Sequence, residues 1–241
     1  MHCSRSFLTS HDIVTSNVKI YHYLSLDYFL VQLIQSKFYV KRKNLFEDIN
    51  ESHLPINLLF YPTQPFNKPK DFDIRKINEQ FSHYEYYKDL SKNFVSSWTL
   101  SYDDYLMWKV YAKECGVCIA STPDQFLSSL DLDKIGDYNI DYGPVTYKPY
   151  TYTDPAEEQL FQKIPLYRSE REFRFIFKAN DPKEYEKKSI YIPCDFKKMN
   201  CKIFLSPFFS MHTSKFLKET LKFNFGLQVE FSRNGIFQAT F

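Results

Sequence analysis

The stretch Glu170–Arg171–Glu172–Phe173–Arg174–Phe175–Ile176–Phe177 constrains this chain more than any other. Its period of two reads as a β-strand, because successive strand side chains point to opposite faces. Glu170, Glu172 and Arg174 project one way, and Phe173, Phe175 and Phe177 the other. A strand of this kind needs an apolar layer on its aromatic side. Its charged side reads in two ways, as a polar site on a core strand or as a solvated face of charge pairs.

The 241 residues are 44% hydrophobic, enough for one large domain or two small ones. Basic and acidic residues number 31 and 29, so no overall field selects nucleic acid or membrane. Aromatic residues make up 19%, and glycine occurs five times. An AT-rich coding sequence yields that bias by itself, so the aromatic content does not establish a base-stacking surface. The first residues, MHCSRSFLTSHDIV, lack the apolar core of a signal peptide, and no run approaches the length of a membrane helix. Five cysteines, an odd number and sparse, fit reduced thiols. Together these features predict a cytoplasmic protein that does not enter membranes.

Cys115 and Cys118 form a C-x-x-C, but Cys118 sits in the apolar run Val117–Cys118–Ile119, which reads as buried thiol rather than zinc ligand. Cys194 and Cys201 have poor spacing for a second metal pair, and His53, His83 and His212 have no partner spacing at all. No metal is expected. The run Lys41–Arg42–Lys43 reads as a solvated strand end.

Periodicity predicts a leader at residues 1–18 and one domain over residues 19–241. Strands are expected at Lys19–Tyr23, Lys37–Val40, Asn93–Thr99, Gly116–Ser121, Ile140–Lys148, Phe173–Lys178, Ser189–Ile192, Lys202–Leu205 and Leu227–Phe231. Ser25 caps a helix carrying Phe29, Leu30, Leu33 and Ile34; Ser101, Asp103 and Asp104 open another that runs to about Glu114. Pro123 starts a short helix, and further helices fall near Asp71–Leu90, Asp154–Gln162 and Met211–Phe223. Asn44–Asp73, with four prolines, reads as a long loop. Many strands with helices among them give an α+β domain around a mixed or antiparallel sheet, whole or split, with peripheral helices. No G-x-G-x-x-G, Walker loop or G-x-S-x-G elbow occurs.

Met107–Trp108–Lys109–Val110–Tyr111–Ala112 followed by Gly116–Val117–Cys118–Ile119 resembles the MW-x-x-YA…GVCI signature of a large bacterial family of uncharacterised proteins. Ile20–Tyr21–His22–Tyr23, Phe161–Gln162–Lys163 and Glu170-x-Glu172-x-Arg174 resemble that family's opening strand and its F-x-K…E-x-E-x-R block. The likeness runs from Lys19 to Phe231 and departs at Asn44–Phe46–Glu47–Asp48, where the family has an acidic, proline-containing loop. Some relatives in that group resemble abortive phage-infection proteins, which implies a role in anti-phage defence or as a toxin.

More distantly, the order of elements resembles the ADP-ribosyltransferase fold. That resemblance implies NAD as substrate, with His22 and Tyr23 on the first strand, Ser97 and Thr99 in the middle strand, Trp108 and Tyr111 as aromatic contacts, and Arg174 beside the carboxylates. Glu172 is implied as the catalytic carboxylate, with Glu170 orienting or deprotonating an acceptor. The chemistry is consistent, since an oxocarbenium-like ribose needs a nearby anion. The acceptor, a protein or a nucleic acid, is not specified. Each residue also has a plainer reading: His22 as a structural histidine, Trp108 and Tyr111 as core anchors, and the Ser97 and Thr99 hydroxyls as local backbone partners. The alternative function is a recognition module without catalysis, binding protein or nucleic acid in phage defence or a toxin–antitoxin pair.

Overall fold

The computed structural model describes residues 18–45, 91–149 and 160–232. The expected leader (save residue 18), the Asp71–Leu90 helix, and nearly all of the proline-rich loop with its departure at 46–48 lie outside these residues. Along the described chain run β1 (Ile20–Ser25), α1 (Leu26–Gln35), β2 (Lys37–Arg42), β3 (Asn93–Thr99), α2 (Tyr105–Val110), β4 (Gly116–Ser121), α3 (Pro123–Ser129) and β5 (Tyr138–Pro144). Then come β6 (Thr146–Tyr147), β7 (Gln162–Lys163), β8 (Glu172–Ala179), β9 (Ser189–Pro193), β10 (Lys202–Leu205), α4 (Met211–Phe225) and β11 (Gln228–Phe231). The architecture is α+β, with a mixed and largely antiparallel sheet. No helix among the described residues is long and apolar enough to cross a membrane.

Nine strands form the main sheet, and it forks at β3. One edge of β3 pairs with β8 along its whole length, from Asn93↔Lys178 to Thr99↔Glu172, and β8 in turn pairs with β5. The other edge is shared. β1 meets it at the single register pair Tyr21↔Thr99 and then diverges, and β2 reaches its far end at Lys41↔Val95 and Arg42↔Phe94. From β1 one limb continues through β4, β10 and β11; from β2 the other continues to β9. Helix α1 spans the mouth of the fork, leaving β1 at Ser25 and delivering the chain to β2 through Ser36, which closes the helix in the left-handed region at φ 50°.

The large core lies on the face carrying Phe94, Trp98, Phe173, Phe175 and Phe177, where α1, α3 and α4 contribute Phe29, Leu33, Phe126, Leu217 and Leu221. The three phenylalanines of β8 are at most 1% exposed, so the expected aromatic layer exists. Each such side chain contributes roughly 1.5–3 kcal/mol through burial. Phe126 is the keystone: its ring centroid lies 4.6 Å from Phe175, 4.8 Å from Phe38 and 4.9 Å from Trp98. It is set by Thr122, whose hydroxyl accepts the Gln125 N–H, with Pro123 in the first turn.

The opposite face holds a smaller cluster in which Met107, Trp108 and Ala112 pack on Tyr23, Cys118, Ala120 and Phe204. Asp104, rather than Ser101, caps α2, accepting from the Leu106 and Met107 amides; the helix ends at Val110, well short of Glu114. Lys113 and Glu114 both take positive φ, so the chain turns sharply into β4. Gly116 is the tightest point of that return. A Cβ there would meet the Leu24 carbonyl oxygen at 2.3 Å and that of Ala112 at 2.5 Å.

Several bounds differ from expectation. β3, β4 and β10 match theirs. Ile140–Lys148 is two strands, β5 and β6; Gln162 begins β7 rather than ending a helix, and residues 154–159 of the helix expected there lie outside the described residues. Glu170 is not on the β8 strand: it ends a 3₁₀ turn, Pro165–Glu170, and Arg171 at φ 44° breaks the alternation before β8 starts.

Candidate functional site

A cleft of about 350 Å³ opens where the sheet forks. β1 and α1 form one wall, the exposed edge of β3 and part of β2 the other, and Met107 and Tyr111 of the α2 region line it together with Lys163, Glu170 and Glu172. Of the sequence-predicted residues, His22, Tyr23, Ser97, Thr99, Tyr111, Glu170 and Glu172 line it, whereas Trp108 and Arg174 do not.

Ser97 stands at the centre of the fork. Strand register puts its side chain on the face of Thr99, Glu172 and Arg174. Its carbonyl points into the gap between β1 and β2, where it takes the Nδ1–H of His22 at 2.8 Å. Its hydroxyl lies on the Glu172 side of the strand and helps to hold that carboxyl's pKa down. One residue therefore stands between the first-strand histidine, which its carbonyl bonds, and the late-strand carboxylate, whose face its side chain shares. The Tyr21↔Thr99 pair places His22 on the opposite face of the sheet from Glu172, so only the split brings both into one cleft.

His22 packs its ring 5.0 Å from Trp98 and 5.5 Å from Phe38. Burial pushes its pKa down to about 4, against the upward pull of the Ser97 carbonyl. It is a neutral imidazole at physiological pH, with Nδ1 carrying the proton and Nε2 left as an acceptor.

Glu172 and Arg174 are 5% and 0% exposed. They close a two-pronged pair, Nε to Oε1 at 2.7 Å and Nη2 to Oε2 at 2.9 Å, while Nη1 donates to the Leu160 carbonyl at 2.7 Å. Burial pushes the Glu172 carboxyl up, but Arg174 first, then Lys163 and Ser97, outweigh it and hold the group well below the ordinary carboxylate range. It is an anion at the floor of the cleft. The expectation of a strand face shared by three charged residues is corrected here: Glu172 and Arg174 share it, and Glu170 approaches from the turn above.

Glu170 accepts from the Tyr111 hydroxyl at 2.8 Å and from Lys163 at 2.5 Å. Its main-chain carbonyl takes the Thr99 hydroxyl at 2.5 Å, which pins the turn to the end of β3. Burial, followed by the Glu170 charge, raises the Tyr111 phenol far enough that it remains a donor. Tyr111 is 43% exposed at the rim, so its ring is open to a ligand.

Trp108 is 1% exposed, edge-on to Tyr23 at 4.9 Å, with its indole N–H on Asp103 Oδ1 at 2.9 Å. Tyr23 is buried too, its hydroxyl accepting the Asp104 amide at 3.2 Å. Both serve as packing anchors for α2. The buried Cys118 thiol lies in the same cluster, and burial pushes its pKa up. Among the described residues no group of three or more His, Cys, Asp or Glu stands together in a way that holds a metal ion.

Two contributors escaped sequence reasoning as site residues. Lys163 lies between the two carboxylates, 3.5 Å from Glu172 Oε2 as well as on Glu170. The Tyr147 hydroxyl accepts the Glu172 amide at 2.6 Å. Neither carries a local signal, since both arrive on the small ribbon of β6 and β7 from outside the main sheet. The F-x-K motif was the one hint of Lys163.

Comparison of this chain with family models, with curated proteins and with solved structures finds no match.

Proposed function

We propose that this chain is an NAD-consuming enzyme of the ADP-ribosyltransferase kind, acting as an anti-phage defence or toxin effector. One observation carries the reading: at the fork of the sheet, His22, Tyr111 and Glu172 line one cleft, with the Ser97 carbonyl fixing the His22 ring. When the nicotinamide–ribose bond breaks, the electron pair leaves with the ring, which departs neutral, and positive charge develops on the ribose. A fixed carboxylate whose charge is already secured stabilises that charge without reorganising. Glu172 meets this requirement, because Arg174, Lys163 and Ser97 keep it ionised. Neutral His22 offers Nε2 to a ribose hydroxyl, and the Tyr111 ring offers a flat surface for nicotinamide. Glu170, nearer the rim, is placed to meet the acceptor or a water that captures the ribose.

The test is nicotinamide release from NAD by purified protein, with candidate protein and nucleic-acid acceptors supplied. Glu172→Gln alone is ambiguous because it removes the anion that the buried Arg174 engages, so Glu170→Gln and Tyr111→Phe accompany it, each with a folding check. Release by the native chain and loss in folded variants is the expected result. No release and no labelled acceptor from the native chain rejects the enzyme.

A second reading rests on a separate observation, that Arg174 and Lys163 engage both carboxylates within the chain. In that reading the cleft belongs to a non-catalytic recognition module for protein or nucleic acid, and NAD is neither bound nor consumed.

A further inference from the structure

The ribbon of β6 and β7 is a two-residue parallel pairing, Thr146↔Gln162 and Tyr147↔Lys163, set apart from the main sheet. Its second rung sends both of its side chains to the start of β8. Tyr147 takes the Glu172 N–H at 2.6 Å, and Lys163 reaches Glu170 at 2.5 Å and Glu172 at 3.5 Å. The ammonium also lies 4.4 Å from the centre of the Tyr167 ring, and the side chain is only 5% exposed. A buried lysine ordinarily costs stability, and here two carboxylates and a ring face offset that cost.

We propose that Lys163 is the positioning residue of this site, holding the Glu170 and Glu172 carboxylates side by side in the cleft. The role deepens the enzymatic reading above and rests on it only for the catalytic consequence. Two carboxylates brought this close repel, and without a cation between them one takes up a proton. Arg174 bonds Glu172 and the Leu160 carbonyl, and among the described residues no ion pair joins it to Glu170. Lys163 is the group that touches both. Among the described residues, the charged and titratable groups facing it are Glu170 from the 3₁₀ turn, Glu172 and Arg174 from β8, Tyr111 from the end of α2, Tyr147 from β6 and Tyr167. Burial raises the Tyr111 and Tyr147 phenols, which leaves the two carboxylates as the groups that respond.

The experiment is thermal unfolding of the full chain at pH 5 and pH 8 for the native protein, Lys163→Met, Lys163→Arg and Lys163→Met combined with Glu170→Gln. In Lys163→Met the carboxylate that gains a proton does so in the folded state, so stability is lost as pH rises through that group's raised value. The expected deficit in Tm relative to native is larger at pH 8 than at pH 5 by about 3 °C, while the double variant shows no such difference and Lys163→Arg restores most of the native profile. A deficit equal at both pH values, or one that Glu170→Gln does not remove, overturns the proposal in favour of a space-filling role. Should Lys163→Met fail to fold, recovery of folding in the double variant is the expected result, and failure of both overturns it. These readouts need no NAD. In the nicotinamide assay, folded Lys163 variants are expected to lose kcat with KM little changed; an inactive native chain rejects the enzymatic reading and leaves the unfolding result to stand or fall alone.

Discussion

Glu172 and Arg174, two residues apart on β8, form a two-pronged ion pair at 2.7 and 2.9 Å, buried against the chain at Leu160. Because they are neighbours on one strand face, the pleat brings the two side chains together, and the Leu160 carbonyl and Lys163 complete the arrangement from outside the strand. It converts what sequence alone leaves as either a surface patch or a site into a buried charge with a specified direction.

Removing one member strands the other. Arg174→Met is expected to cost about 3–5 kcal/mol in urea unfolding, because Glu172 then sits buried with Lys163 as its remaining cation. Combining Arg174→Met with Glu172→Leu is expected to cost clearly less than the sum of the two single changes. Additive losses would show that the pair is not coupled.

The pH dependence has two windows of the same sign. His22 has a folded-state value of about 4 against an ordinary 6.5, so the unfolded chain takes up the proton first and stability falls as pH drops from 6.5 to about 4. The loss is on the order of 3 kcal/mol, and His22→Gln should flatten that part of the profile. Glu172 is held low instead, so its contribution is full above the ordinary carboxylate value of 4.5 and disappears only as pH falls through about 2. Urea unfolding at pH 7, 5 and 4 for native and His22→Gln protein checks the first window; parallel profiles would reject it.

Gly116→Ala tests the close return between α2 and β4. With carbonyl oxygens at 2.3 and 2.5 Å from the added carbon, neither strand nor turn can give way cheaply. Destabilisation of about 3 kcal/mol is expected. Near-native unfolding would mean that the return is looser than its contacts indicate.

Tyr111→Phe removes one hydrogen bond at the half-exposed rim and leaves the ring. Stability should drop by about 1 kcal/mol or less. The variant is therefore a clean reporter: a large fall in nicotinamide release would come from the Glu170 side of the cleft, not from unfolding. Equal release by native and variant protein would remove the Tyr111 hydroxyl from the reaction.

The parts of this fold that could be read from the sequence are those decided by near neighbours. β3, β4 and β10 have the expected bounds because alternation or an apolar run specifies them directly. The Phe173, Phe175 and Phe177 layer followed from the same rule. Glu170 was misplaced because one left-handed residue, Arg171, interrupts the alternation, and an arginine gives no warning of positive φ. Lys163 and Tyr147 were invisible as site residues because a ribbon of two pairs has too few residues to show a period. The fork itself depends on where β1 and β2 each let go of β3, and that is a property of three separate segments at once.

The fork also fixes which part of the cleft can drift. Where β1 has departed and β2 has not yet arrived, the polar partner of His22 is the peptide carbonyl of Ser97, not a side chain. Any amino acid at position 97 would present the same carbonyl to the imidazole, provided β3 keeps its path. The influence on Glu172, by contrast, comes from the Ser97 hydroxyl, which helps to hold that carboxyl's pKa down and is lost with a change to alanine. Half of the junction is thus written in backbone and indifferent to substitution, and half hangs on a single oxygen atom; Ser97→Ala would separate the two halves while leaving the sheet intact.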